Sequence, residues 1–209
     1  IGPTCRRARR VGCDLVLKSF LGKQLKDKCD LLIPPGQHGS KKKKQSDYGL
    51  QLIAKQMFRF TYGVSERQFY NYYVKSYKML GSTGFNMFLF LERRLDNIIF
   101  RMGFSSTRAE ARQLVKHRFV SVRRSGQANW VIVDIPSYLV KISDEICLVR
   151  GACNQKRVLD SLDTCFDSKS FSWVKIDKKN FCGNILRYPT RDELSGILNE
   201  RLVVEFYSK

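Results

Sequence analysis

The sequence predicts an α+β fold, and three observations carry that expectation. Apolar residues recur at spacings of three and four from about Tyr48 to His117, the period of helices laid on a core. From Phe119 the period drops to two, in "FVSV" at 119–122 and again in "WVIVDI" at 130–135, as in half-buried strands. Ahead of Tyr48 neither period is present. There "CRRARR" (5–10), "PPGQHG" (34–39) and "KKKK" (41–44) mix cations with turn formers, which predicts a basic, loop-rich N-terminal arm.

Taken in order, the arm is expected to be irregular, since Pro34, Pro35, Gly36 and Gly39 favour an extended turn over a helix. In "SERQ" at 65–68 the Ser65 hydroxyl and the Gln68 amide form a capping box, each satisfying the other's backbone donor. The helix that follows sets Phe69, Tyr72, Tyr73, Ser76 and Tyr77 on one stripe, read as a core face in preference to a base-stacking surface. "GSTG" at 81–84 reads as a turn where the chain passes to a second unit. Residues 86–104 then read as one helix with Leu91, Leu95, Ile98, Ile99 and Met102 on one face, stopped by Gly103. Thr107 and Glu110 make a second capping box before the stripe Ala111, Leu114 and Val115. A hairpin is expected around the polar loop "RRSGQAN", and 136–150 continues as strand, turn and strand with Ser143 and Asp144 at the turn. A helix over 154–167, a strand around 171–176, a capped helix from Thr190 through Leu198 and an extended "RLVVEFYSK" complete the reading.

Composition narrows the function. The chain has 209 residues, 43% of them apolar, enough for one medium or two small cores. Its 38 Lys/Arg against 19 Asp/Glu leave +19, a surface that is costly to bring close to itself unless a polyanion neutralises it. Nucleic acid is therefore the first expected partner. The excess is uneven: residues 1–62 carry 14 cations against 4 acids, 89–126 carry 9 against 3, and 151–209 carry 10 against 8. The polyanion is expected at the first half. No apolar run approaches the roughly 18–20 residues of a membrane span, and no basic-then-apolar segment opens the chain, which reads as soluble and not exported. It starts at Ile1 and not Met, so a short leader is expected to be missing or processed. Seven scattered cysteines without a C-x-x-C pair predict reduced thiols in a cytosol-like compartment. Two histidines, no glycine-rich phosphate loop and no G-x-S-x-G leave enzyme chemistry without a motif.

The stretch after Thr107 is the sharpest local signal. Arg108, Arg112 and Lys116 fall at i, i+4 and i+8, on a different face from Ala111, Leu114 and Val115. A merely solvated face would interleave carboxylates, and only Glu110 is there, already engaged by the cap. Phosphate binding is the expected use of that face.

One long run and six separated motifs then point to one family. "LERRLDNIIFRMGFSSTRAEARQLVKHRFVSV", "GP" (2–3), "PPGQHG", "SDYGLQL" (46–52), "ERQFYNYY" (66–73), "PSY" (136–138) and the closing "VEFYSK" resemble bacterial-type small ribosomal subunit protein four, in the family's order and over nearly the whole chain. The resemblance implies three segments. They are an arm at 1–45, a helical domain at 46–92 completed by 186–209, and an inserted α+β domain at 93–185. Within the last, 93–124 would be a helix-helix-strand RNA-binding module, packed with a small, mostly antiparallel sheet. It further implies a structural constituent of the small subunit that binds the 5′ domain of its RNA as a primary binder and nucleates assembly. Contact with ribosomal protein five, proximity to messenger RNA where it enters the subunit, and an influence on decoding accuracy are implied as well. The place would be the ribosome, cytoplasmic or organellar. The residues expected to meet RNA are Arg6, Arg7, Arg9, Arg10, Gln37, His38, Lys41, Lys42, Lys43, Lys44, Arg93, Arg94, Arg108, Arg112, Lys116, Arg118, Arg123 and Arg124.

Two departures stand out. The hairpin loop "RRSGQANWV" is longer than the tight Asn-Gly turn usual in the family. Some members bind zinc on four N-terminal cysteines, whereas here only Cys5 and Cys29 match, so no metal and no cofactor are expected; Cys13 and His38 could complete only a rearranged site. The alternatives are a pseudouridine synthase carrying the same module, since "RRLD" at 93–96 resembles that family's catalytic stretch, and a non-ribosomal assembly or stress factor. The first lacks room for a catalytic domain. The second would not need "PPGQHG" or the matching C-terminus.

Overall fold

The computed structural model describes residues 3–18, 25–41, 44–168, 171–194, 196 and 198–208, apart from the side chains of 26 and 164–168. The chain divides into two compact units, Ile1–Phe88 with Ser195–Lys209, and Leu89–Leu194.

The first unit is helical. Contrary to the irregular arm expected, "CRRARR" lies in a helix, α1 (Thr4–Val11), closed by Gly12 in the left-handed region at φ 81°. What local sequence did not show is tertiary: Ala8 is buried and Arg7 stacks on Phe60 at 5.1 Å, so a short helix is held that would be marginal alone. Arg9 donates to the carbonyls of Ile33 and Pro34 at 2.8 and 3.1 Å, tying the proline turn to α1. After the short α2 (Leu25–Lys28), α3 (Asp47–Tyr62) starts at Ser46, whose hydroxyl accepts from Gly49 N, and α4 (Glu66–Tyr77) starts at Ser65, whose hydroxyl accepts from Gln68 N. Phe58, Phe69 and Phe88 form the centre, with rings 6.2 and 5.2 Å apart.

The closing segment is a second correction: it is not extended but forms a helix, Glu200–Tyr207, which packs on α3. Tyr48 meets Phe206 at 5.6 Å and Phe69 meets Tyr207 at 6.1 Å. Upstream, the helix expected from Thr190 is reduced to a single 3₁₀ turn, Arg191–Glu193, although its Thr190–Glu193 capping box is present.

The single helix expected over 86–104 is two, α5 (Thr83–Glu92), which begins inside the expected "GSTG" turn, and α6 (Leu95–Arg101) of the second unit. The break falls at Arg93 and Arg94, where the chain turns extended and its backbone bonds leave the helix. Leu95 N donates to Tyr138 O, Asp96 N to Pro136 O, and Val140 N to Arg93 O. Residues 136–140 thus serve this break and are not a strand of the sheet. Helix α7 (Arg108–Lys116) follows, then β1 (Val120–Arg123), β2 (Val131–Ile132) and β3 (Glu145–Leu148). Helices α8 (Arg150–Cys153) and α9 (Lys156–Ser168) precede β4 (Val174–Asp177) and β5 (Cys182–Ile185); the helix of residues 200–207 is α10.

The sheet runs β2-β1-β3-β5-β4, antiparallel throughout, which makes the fold α+β as expected. Leu95, Ile98, Ile99 and Met102 of α6 and Ala111, Leu114 and Val115 of α7 pack with Val120, Val122, Ile146, Trp173 and Ile185. Each fully buried Leu, Ile or Val there stabilises by about 1.5–3 kcal/mol. The expectation of reduced thiols is corrected at one pair: Cys147 and Cys182 stand opposite each other on β3 and β5 and form a disulfide. Residues 35 apart in sequence become neighbours only through the strand register, which spacing alone does not reveal.

Candidate nucleic-acid interface

Helix α7 is anchored as its sequence suggested, with one adjustment. Thr107 Oγ1 accepts from Glu110 N at 3.2 Å, but the Glu110 carboxylate reaches Ser106, taking both its N–H and its hydroxyl at 2.9 Å. The orphan donors at the helix start are satisfied one residue earlier than in the usual box. Ala111, Leu114 and Val115 are buried, so the apolar face is the one expected.

The cationic face is different. Arg112 turns back to Asp96, donating through Nε at 3.0 Å and Nη2 at 2.7 Å. Arg94 grips the same carboxylate, at 3.0 and 2.7 Å. The side chains of Asp96, Arg94 and Arg112 are 3%, 5% and 21% exposed. Arg108 donates to Asn97 Oδ1 at 2.8 Å and lies over Phe100 at 4.5 Å. Asn97 in turn donates to the buried Glu92 carboxylate at 2.8 Å, which Arg101 clamps at 3.0 and 2.7 Å. Arg108 and Arg112, expected with Lys116 to form an outward phosphate-binding row, and Arg94, expected to meet RNA, are thus engaged in an internal network. The physical reason is the carboxylate of Asp96, upstream on α6: a buried charge needs partners, and forked guanidinium groups supply them. Asp96 so enclosed is an anchor, which also removes the attraction of "RRLD" as a catalytic stretch.

What faces water is the remainder. Lys116 ends α7 exposed, without an ion pair among the described residues. Arg118 is exposed, its contact with Asp134 at 3.3 Å being of the surface kind worth about 0–1 kcal/mol. On the longer hairpin Arg123 pairs with Glu145 and covers the Trp130 ring at 4.9 Å, while Arg124 donates to the Tyr138 hydroxyl at 3.0 Å. Those two cations and Trp130 thus brace the loop. Arg93 donates to Val140 O at 3.1 Å and stacks on Tyr188 at 4.8 Å.

In the arm, Arg6, Arg10, Gln37, His38, Lys41 and Lys44 are exposed, Arg7 and Arg9 are engaged as described, and Lys42 and Lys43 lie outside the described residues. Cys13 and His38 join no group of three or more His, Cys, Asp or Glu placed to hold a metal among the described residues. Sequence reasoning missed Glu92, Asn97 and Arg101; the signal available was the run of acid, amide and arginine in "LERRLDN" and "FR", which a buried network requires.

Comparison with known proteins fits this arrangement. Residues 1–92 match the family model described as ribosomal protein S4/S9 N-terminal domain, and residues 93–146 match that of the S4 domain. The chain is 48% identical over 209 residues to the small ribosomal subunit protein uS4 of Chromobacterium violaceum, 49% to that of Thioalkalivibrio sulfidiphilus and 46% to that of Pseudomonas syringae pv. tomato. Each comparison covers 100% of this chain and 98% of the relative. With both domain types in order and close to half of all positions identical along its whole length, the chain belongs to the family of small ribosomal subunit protein uS4.

Proposed function

We propose that the protein is a structural constituent of the small ribosomal subunit that binds the subunit's RNA, and the observation that carries this is its full-length identity to relatives of that name. The chemistry agrees. Net charge is +19, and exposed cations stand at Arg6, Arg10, Lys41, Lys44, Lys116 and Arg118. Folded RNA hides its base edges in a deep major groove, so such a protein reads phosphates, 2′-hydroxyls and junction shape. The network on Asp96 and Glu92 sets α6 and α7 rigidly, and that rigidity fixes the spacing at which Lys116 and Arg118 meet phosphates. The arm supplies further charge along the backbone.

At the finer level the protein is a primary binder of the 5′ domain that helps nucleate assembly. It touches ribosomal protein five and lies near the messenger where it enters, which links it to decoding accuracy in a cytoplasmic ribosome. These parts rest on the family resemblance.

The test is a salt series. If several phosphates are neutralised together, log affinity for small-subunit RNA should fall with log salt by a slope of at least about 5, at roughly 0.7–0.9 per contact. Replacing Lys41 to Lys44 with Ala should flatten it. A native protein without preference for small-subunit RNA over an unrelated duplex would overturn the reading.

A further inference from the structure

Helix α4 carries tyrosines of two kinds. Phe69, Tyr72, Tyr73 and Ser76 are buried as expected, but Tyr77, expected on the same core face, is 71% exposed, and Tyr70 is 49% exposed. The rings of Tyr70, Tyr73 and Tyr77 follow one another at centroid separations of 6.2 and 6.3 Å, inclined by 30° and 32°. Tyr207 backs the row, 5.5 Å from Tyr70 and 4.9 Å from Tyr73. Its hydroxyl donates to Glu66 Oε1 at 2.7 Å, and Lys55 and Arg59 hold that same carboxylate. The row is fixed from behind and bare in front.

We propose that this outward face of α4 is a stacking platform for unpaired bases of RNA. The proposal rests on the RNA-binding reading above and adds the class of RNA and the residues that take it. Charge selects the occupant. Arg67 shares the stripe of Tyr70 and Tyr77, at i, i+3 and i+10, Lys78 follows Tyr77 directly, and Lys75 stands at the far edge of the exposed face. All three cations are exposed, and none is in an ion pair among the described residues. The only carboxylate of the helix, Glu66, is turned to Tyr207, Lys55 and Arg59. A protein partner would have to bring both an apolar surface and several carboxylates. An unpaired strand brings a flat π-face and a phosphate with every nucleotide, which is what aromatic rings set among cations receive. Tyr70 and Tyr77 lie seven residues apart, about 10.5 Å along the axis, so each ring can take its own base.

The test compares the full chain with two variants, Tyr70→Ala/Tyr77→Ala and Tyr70→Phe/Tyr77→Phe, their folding checked by circular dichroism. Each is titrated into a labelled oligouridine and into folded small-subunit RNA. The alanine variant should bind the oligouridine at least about tenfold more weakly. The phenylalanine variant should bind it as the native chain does, and the salt slope on folded RNA should stay put, because no phosphate contact is lost. No oligouridine binding by the native chain, or equal binding by the alanine variant, overturns the platform while folded RNA still binds. Failure of the native chain on both RNAs overturns the RNA-binding reading itself. A photoreactive benzoylphenylalanine at position 77 in reconstituted subunits supplies the last arm: a crosslink to RNA supports the platform, and one to a protein overturns it.

Discussion

Replacing Asp96 with Asn keeps the side chain's size and removes its charge, and the cost follows from who surrounds it. Four donors converge on the Asp96 carboxylate, two from Arg94 and two from Arg112, at 2.7–3.0 Å. Charge-assisted bonds are worth about 1.5–3 kcal/mol each, but bonds sharing one acceptor do not add. The larger effect is the Arg94 guanidinium, 5% exposed, left facing a neutral amide whose own N–H groups repel it. Breaking a buried pair in this way costs about 3–5 kcal/mol, against a total of about 5–15 kcal/mol for a domain. Both tryptophans, Trp130 and Trp173, fall within Leu89–Leu194, so their fluorescence follows the unfolding of that unit. With a urea slope of about 2 kcal/mol per molar, the midpoint should fall by roughly 2 M. Arg112→Ala should cost less, since Arg112 is 21% exposed and water can take over part of its role. An Asp96→Asn midpoint within error of the native one would refute the account of Arg94 and Arg112 as structural.

Two more outcomes are expected. Burial works against ionisation of Glu66, but the Tyr207 hydroxyl and the Lys55 ammonium outweigh it, and its carboxyl titrates below the ordinary range. A depressed folded pKa adds stability above the unfolded value of about 4.3 and loses it as pH falls through the folded one; the stability gap between native protein and Glu66→Gln should therefore shrink from about pH 6 to about pH 3, and a gap constant in urea melts across that range would contradict the pairing. For the Cys147–Cys182 link, which closes a separation of 35 residues, chain entropy gives about 3–4 kcal/mol, so Cys147→Ser should lower stability by that order. Alkylation of the unfolded, unreduced chain should label two fewer cysteines than after reduction, and full labelling before reduction would remove the disulfide.

The parts of the fold legible in the sequence were those whose partners lie within a turn or two. Helix α7 is an example, because Thr107, Glu110, Ala111, Leu114 and Val115 state its start and its buried face within one short stretch. The break between α5 and α6 was illegible because its backbone bonds go to Pro136, Tyr138 and Val140, forty or more positions downstream. Helix α1 and helix α10 were missed for the same cause. Arg7 needs Phe60, and Phe206 and Tyr207 need Tyr48 and Phe69, before either short segment has reason to be helical.

The candidate site failed and succeeded along the same line. Spacing puts Arg108 and Arg112 off the apolar face of α7, which is correct, but the acid that neutralises Arg112 is not at an i+4 position of its own helix. Asp96 and Asn97 sit on the preceding helix, and a carboxylate in a low-dielectric core draws a guanidinium far more strongly than solvent-screened phosphate contact would reward leaving it outside. A motif rich in arginine therefore overstates what nucleic acid can meet, because its buried acids claim partners first. The chain still has 38 Lys/Arg for 19 Asp/Glu, an excess of 19 positive charges. Those in the arm and at the end of α7 carry the RNA-binding reading, and the inward arginines act on it only through the rigidity they give α6 and α7. Under that division Asp96→Asn should weaken RNA binding in proportion to the fraction of the unit unfolded, with the salt slope of the folded fraction unchanged. A lower slope for folded Arg112→Ala would return Arg112 to the interface.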